Sequence, residues 1–252
     1  MMQSQKTYTV LGQQKTVAEI EKMVEAYAPE KRSPHARHTV ISKHVPEKSY
    51  VLDYGCGWGT LSKIVHDERG CRVDGIDPDK SSIEIAKDVV GETDTLNFSV
   101  KSIEAVPDET YDVVVSTQVI EHTFNPGMYL NHCNRVLKPQ GFLIISLPNI
   151  MTPKLIWRLF RCRSPQAAFQ KISSAIKNHD QTHDHIQGWD PMTFCALLCG
   201  TGFEYVAHAF LEGASFPKNR YWRKPWGTMK NFSYTMMFKA QKLRYMDIQP
   251  TR

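Results

Sequence analysis

Nine residues, Val51-Leu52-Asp53-Tyr54-Gly55-Cys56-Gly57-Trp58-Gly59, restrict what this chain can fold into more than any other stretch. A short apolar run ends in a carboxylate, three glycines follow at alternate positions, and a helical pattern opens at Thr60. Glycine permits positive φ and lets a ligand approach where a Cβ would collide. Dinucleotide sites space their glycines G-x-G-x-x-G and set a pyrophosphate on the helix N-terminus. Here the third glycine comes one residue early, and Asp53 stands just ahead of the loop. A carboxylate there repels a pyrophosphate and attracts a cation. The pattern predicts a strand, a tight loop and a helix, with a positively charged ligand.

Periodicity extends that unit in both directions. Thr16 to Ala28 reads as an amphipathic helix stopped by Pro29, and Pro34 to His44 as a second helix. Short apolar runs near Val51, Val73, Phe98, Val113 and Leu143 alternate with helical segments, which predicts βαβ units and a parallel sheet. After Pro148 the pattern changes. Lys154 to Cys162 and Ala167 to Lys177 read as helices, followed by a polar, histidine-rich stretch. Pro191 to Thr201 reads as a helix closed by Gly200 and Gly202, and Phe203 to Leu211 and Phe232 to Ala240 as two final strands.

The glycine stretch resembles the first motif of the class I S-adenosylmethionine (SAM)-dependent methyltransferases. Cys71-Arg72-Val73-Asp74-Gly75-Ile76-Asp77-Pro78-Asp79 is similar to the family's second strand, ending in the acid that accepts from both ribose hydroxyls. Tyr111 to Ser116 and Gln118-Val119-Ile120-Glu121-His122 resemble the fourth strand and its following segment, and Arg135 to Leu143 the turn into the fifth. The ordered motifs span roughly residues 35–150, closest to small-molecule O-methyltransferases of the ubiquinone-biosynthesis and sugar type. The resemblance implies an α/β fold with a Rossmann-like seven-stranded sheet, mostly parallel with an antiparallel last strand, plus a helical lid insertion. One methyltransferase domain would fill 1–252: N-terminal helices over 1–46, the SAM-binding core over 47–148, the lid over 149–190, and the last helix and hairpin over 191–252. The lid would lie over the carboxyl ends of the strands, where open α/β sheets bind ligands.

The same resemblance implies S-adenosylmethionine as cofactor, held by Arg37, Asp53, Gly55, Cys56, Gly57, Gly59, Asp77, Pro78, Ser102, Ile103 and Gln118. Ser102 replaces a customary aspartate toward the adenine amino group, and Arg37 takes the place of an arginine on the methionine carboxylate. Methyl transfer needs positioning above all, worth about 7–11 kcal/mol at best. A hydroxyl acceptor also needs a base, typically worth about 10²–10⁴-fold. His122, after the fourth strand, and His185, in the lid, are the candidate catalytic bases.

No metal is expected. His179, His183 and His185 with Asp180 and Asp184 could ligate zinc, yet so dense a loop rarely turns all its ligands to one centre. Quinone-pathway relatives carry Glu-x-x-Glu-His, whereas this chain has Gln118 in the first place, and a hard dication loses a carboxylate there. The six cysteines form no paired framework and read as reduced thiols of a cytoplasmic protein. No run of about 18 apolar residues exists, and the polar N-terminus lacks a secretory h-region.

Charge divides the sequence. Glu47 to Pro126 holds 16 acids and 7 bases, net −9; since the chain totals +5, the rest carries +14. Gly213 to Met246 contains eight bases and no acid. Such a division favours an anionic partner, and the family resemblance implies that the partner is a small-molecule acceptor. Two rivals remain. The basic-aromatic run Lys154 to Arg163 allows peripheral membrane contact and a lipid or quinone acceptor, and a methyltransferase-like fold can serve binding alone. Nucleic acid is disfavoured: the fifth strand reads Leu147-Pro148-Asn149 rather than an Asn-Pro-Pro-Tyr-type base-methylation motif.

Overall fold

The computed structural model of the protein describes residues 6–10, 13–25, 36–153, 157, 164, 166, 186–211 and 233–244. Strands form where short aliphatic runs meet turn residues: β3 (Tyr50–Tyr54), β4 (Arg72–Asp77), β5 (Leu96–Val100), β6 (Tyr111–Thr117) and β7 (Leu137–Pro148). With β8 (Phe203–Leu211) and β9 (Thr235–Lys242) they make one seven-stranded sheet in the order β5-β4-β3-β6-β7-β9-β8. Neighbours from β5 to β7 run parallel. The last strand, β9, lies between β7 and β8 and is antiparallel to both. Chain order reverses at β3 and β6, and ligands of open α/β sheets bind outside the carboxyl ends of strands at such a point.

Both sheet faces are covered, which explains why the central strands read as continuous apolar runs. Successive residues serve opposite cores. Leu52, Val114 and Ile145 pack with Phe194 and Phe238; Val51, Val113, Val115 and Ile144 pack with Ile41 and Val73. The helices end where their caps dictate. In α3 (Thr60–Arg69), Gly59 and Gly70 sit at the two ends in the left-handed conformation. Asn125 caps α5 (Pro126–Val136) through Met128 N–H at 3.0 Å. Asp190 caps α6 (Pro191–Gly200) through the N–H groups of Met192 and Thr193, with proline at the first position.

The amino-terminal region departs from expectation. An antiparallel hairpin, β1 (Thr7–Val10) with β2 (Gln13–Thr16), precedes α1 (Val17–Glu25). Thr16 and Glu19 form a capping box at its joint with the helix, N–H to carboxylate at 2.7 Å and back to the hydroxyl at 3.3 Å. Tyr8, Val10 and Ile20 pack with Ile85, Trp58 and Val89. Tyr8 donates its hydroxyl to Asp88 at 2.5 Å, and Lys6 pairs with the same carboxylate. The second expected helix begins at Arg37 rather than Pro34, as α2 (Arg37–His44). The helix after β4 is short, α4 (Lys80–Ile85), and widens into a π turn over Ala86–Val90. Apart from Trp157, the segments Lys154 to Cys162 and Ala167 to Lys177, and with them the expected lid helices, lie outside the described residues, as do His179 to His185 and Lys218 to Lys230. Among the described residues no helix is long and apolar enough to cross a membrane.

Candidate functional site

The glycine loop is tied to the end of the neighbouring strand. Gly55 and Cys56 donate their N–H groups to Ile76 O at 2.9 and 3.1 Å. Asp77, the last residue of β4, accepts from Gly57 N–H at 3.0 Å and Asp79 N–H at 2.9 Å. All three loop glycines have positive φ, 75°, 52° and 74°. Two are also required by close packing. A Cβ on Gly55 would stand 2.4 Å from Val119 Cγ2, and one on Gly59 2.5 Å from the Phe98 ring. Gly57 is different: no protein atom lies within 4 Å of where its Cβ would be. The loop is packed at both ends and open in the middle, where a ligand can lie against the backbone.

Two carboxylates face this opening's electrostatics. Asp53 is buried, and its Oδ2 accepts from Ser62 at 2.6 Å while Oδ1 has no partner. Burial, reinforced by the negative charge of Asp77 and opposed by Ser62, raises its carboxyl to about 6. Asp77 is also held above the usual carboxylate range, chiefly by burial. Each would be relieved by a cation, because an opposite charge restores the ionised form that burial disfavours. A sulfonium with an adjacent ammonium fits that requirement, and the open middle of the loop fits a ligand's approach.

The far wall comes from β6. Gln118 has φ +56°, uncommon for a side chain other than glycine, and holds it by donating its N–H to Ser146 O at 2.9 Å. Its Nε2 is buried and unpartnered. Glu121 is fully buried, with neither carboxylate oxygen partnered. Burial lifts it to about 7, while Arg37 pulls it down. Arg37 opens α2 and is half-buried, with its Nε unpartnered. The expected residues Asp53, Gly55, Gly57, Gly59, Asp77 and Gln118 thus gather at the carboxyl ends of β3, β4 and β6, and Arg37, at the start of α2, lies within electrostatic reach of Glu121.

The others stand at the edge or elsewhere. Cys56 is buried close to Gly75, and burial pushes its thiol up, so it fills space rather than reacting. Ile103 is fully buried with its carbonyl accepting from Arg135 at 2.8 Å, whereas Ser102 and Pro78 are exposed. His122 is exposed on the turn after β6, and its neighbour Glu121 is the one turned inward. His185 lies outside the described residues. Among those described, no group of three or more potential metal ligands occurs. Of the Glu121-His122 pair, the sequence reading chose His122 as the candidate base and left Glu121 without a role. The signals for Glu121 were its place in Gln118-x-x-Glu121-His122, where the family resemblance turns the Glu121-His122 pair toward the acceptor, and a carboxylate in an otherwise apolar turn.

The family model described as "Methyltransferase domain" matches residues 22–208. The ubiquinone biosynthesis O-methyltransferase of Bradyrhizobium diazoefficiens is 34% identical over 101 residues, 39% of this chain and 40% of that protein. The Vibrio cholerae protein of the same name is 35% identical over 139 residues, 54% of this chain and 53% of that one. The chain spans about half or less of the length of these curated relatives. Among solved structures, a SAM-dependent methyltransferase from Methanosarcina mazei superposes with a TM-score of 0.58 at 17% identity, over 81% of this chain and 97% of that one. One from Mesorhizobium loti gives 0.56 at 14% identity, over 81% and 96%. Those two likenesses speak for the fold.

Proposed function

The chain belongs to the SAM-dependent methyltransferase family, and from that premise we propose that it transfers a methyl group to the hydroxyl oxygen of a small-molecule acceptor. The observation that carries the proposal is the buried Asp53 with an unpartnered Oδ1, set beside Asp77 under a glycine loop open at Gly57. The choice of oxygen is supported by the relatives named O-methyltransferases.

S-adenosylmethionine, when bound, supplies a methyl group on a positively charged sulfur that departs as a neutral thioether. The protein's own residues do the rest. Asp77, at the strand end, presents a carboxylate to a ribose diol, and charge-assisted bonds of this kind are stronger than neutral ones. Asp53, held by Ser62, contributes negative potential beneath the cation. Gly57 leaves the backbone bare for close approach, Arg37 offers a positive charge to a carboxylate, and Gln118 offers an unused amide N–H. Ile103 keeps its side chain in the core and offers its backbone N–H to a ring. His122 and His185 stay candidates for proton transfer, His122 from the solvent side of the β6 turn.

The acceptor is anionic in this reading, which the +14 outside the cofactor half supports. The protein works in the cytoplasm; its five described cysteines are free thiols, three of them buried. A lipid or quinone acceptor is the second reading. It draws on the relatives' printed name and on Trp157, 63% exposed in the basic-aromatic run. Titration calorimetry tests the cofactor first: S-adenosylmethionine should bind and NAD should not, and the reverse would overturn the whole reading. A metabolite screen by mass spectrometry for the gain of one methyl then identifies the acceptor.

A further inference from the structure

Glu121 is a buried carboxylate whose one charged counterweight among the described residues is Arg37. It is 0% exposed, and neither Oε1 nor Oε2 has a hydrogen-bond partner. Burying a charge unpaired is costly, so a purely structural role gives no reason for a carboxylate here. The turn that carries it lies against the cofactor loop, since Val119 would collide with a Cβ on Gly55. Two further buried polar groups of the same wall, Gln118 Nε2 and Ser146 Oγ, are also unpartnered. The carbonyl oxygen of Glu121, meanwhile, accepts N–H groups from Ile186 at 3.0 Å and Gln187 at 3.1 Å. The chain returning from the 149–190 insertion is thereby fixed to the residue whose carboxylate is unused.

We propose that Glu121 is the base of the reaction, accepting the hydroxyl proton of the acceptor as the methyl group is transferred. The inference rests on the hydroxyl-methylation reading above. In the step, the acceptor O–H bond breaks and its proton passes to a Glu121 oxygen. The electron pair left on the acceptor oxygen forms the new bond to carbon, and the pair of the broken S–C bond stays on sulfur. One carboxylate and one sulfonium become one carboxylic acid and one thioether, so charge and atoms balance. The titratable and charged groups facing Glu121 are Arg37 from α2 and Tyr129 from α5. Burial raises the Glu121 carboxyl to about 7, against the pull of Arg37, and a base near the working pH transfers protons most effectively. Tyr129 does not compete: burial keeps it protonated, and its hydroxyl is engaged with Ser116.

The test combines infrared spectroscopy of ¹³C-glutamate-labelled protein with turnover of para-substituted phenols of graded acidity. In the wild type, a protonated-carboxyl band should titrate near pH 7, and Glu121→Gln should lack it. The variant should bind S-adenosylmethionine within about twofold of wild type by calorimetry. Its kcat should fall about 10²–10⁴-fold for weakly acidic phenols and progressively less for more acidic ones, which need no base. Should Glu121→Gln fail to fold, Glu121→Asp decides, by a lowered kcat that still falls as pH drops and the carboxylate protonates. The proposal is overturned by a wild type with no such band, by Gln or Asp variants within threefold of wild-type kcat, or by a loss independent of phenol acidity. Restoration by magnesium overturns it too. A wild type that binds the cofactor but methylates no phenol also overturns it, whereas failure to bind the cofactor at all removes the family-based reading beneath it.

Discussion

Asp77 does two things at once: its oxygens already hold the N–H groups of Gly57 and Asp79, and the family reading gives it the ribose. Asp77→Ala should therefore weaken SAM binding by about 2–4 kcal/mol, read by calorimetry. Binding within twofold of wild type would remove Asp77 from the cofactor site. Asp53 supplies the pH dependence. Its folded value, about 6, lies above the ordinary 3.8, so the folded state holds the proton more tightly than the unfolded chain. The stability from that proton is full below about pH 4, is lost as pH rises through about 6, and is flat above. Affinity for a cationic cofactor runs the other way, weakening as pH falls through about 6. Asp53→Asn should flatten both profiles, thermal melts reporting the first and calorimetry the second. At this scale the sequence was partly legible. Asp53 is legible from its place just ahead of the glycine loop, and Asp77 from the resemblance of Cys71 to Asp79 to the family's second strand. Which of Glu121 and His122 turns inward is not, since a single 3₁₀ turn decides it and both residues are polar.

The glycine loop separates packing from binding within one element. Gly55→Ala would drive a Cβ into Val119 at a φ of +75°, and should cost roughly 2–4 kcal/mol of stability through strain and overpacking. Gly57→Ala meets no protein atom, so its cost should be about 1–2 kcal/mol, the price of a left-handed alanine. Its cofactor affinity should nonetheless fall at least tenfold. Thermal melts and calorimetry on the pair check this, and equal melting losses would contradict the open middle of the loop. Strands β3 to β8 were foreseeable from apolar runs, and β9 was misplaced by only a few residues. The β1–β2 hairpin was not foreseen, because Thr7-Tyr8-Thr9-Val10 is short and its partner Gln13-Gln14-Lys15-Thr16 is wholly polar. The alternation that buries Tyr8 and Val10, and the Thr16-x-x-Glu19 box, were its available signals.

Across the whole molecule, the division of charge makes a separable prediction. Changing Arg220, Arg223 and Lys224 to glutamate should raise the acceptor KM steeply and leave SAM affinity nearly unchanged, since Asp53 and Asp77 belong to the acidic half. The wild-type advantage should shrink with added salt, which screens exposed charges beyond about 8–10 Å. An unaltered KM would return those residues to ordinary solvated surface. EDTA-treated protein should likewise keep most of its activity, because Gln118 offers a hard dication no carboxylate; a strict need for magnesium or zinc would contradict this. The placement of β9 bears on something else, the making of the protein. Synthesis runs from the N-terminus, yet the strand that joins β7 to β8 is the last of the seven to emerge from the ribosome. Until Thr235–Lys242 arrives, β7 presents an unpaired edge and β8 has no neighbour, and exposed edges of that kind invite aggregation. Chains cut short before residue 235 should thus accumulate as insoluble protein even with every cofactor residue already made.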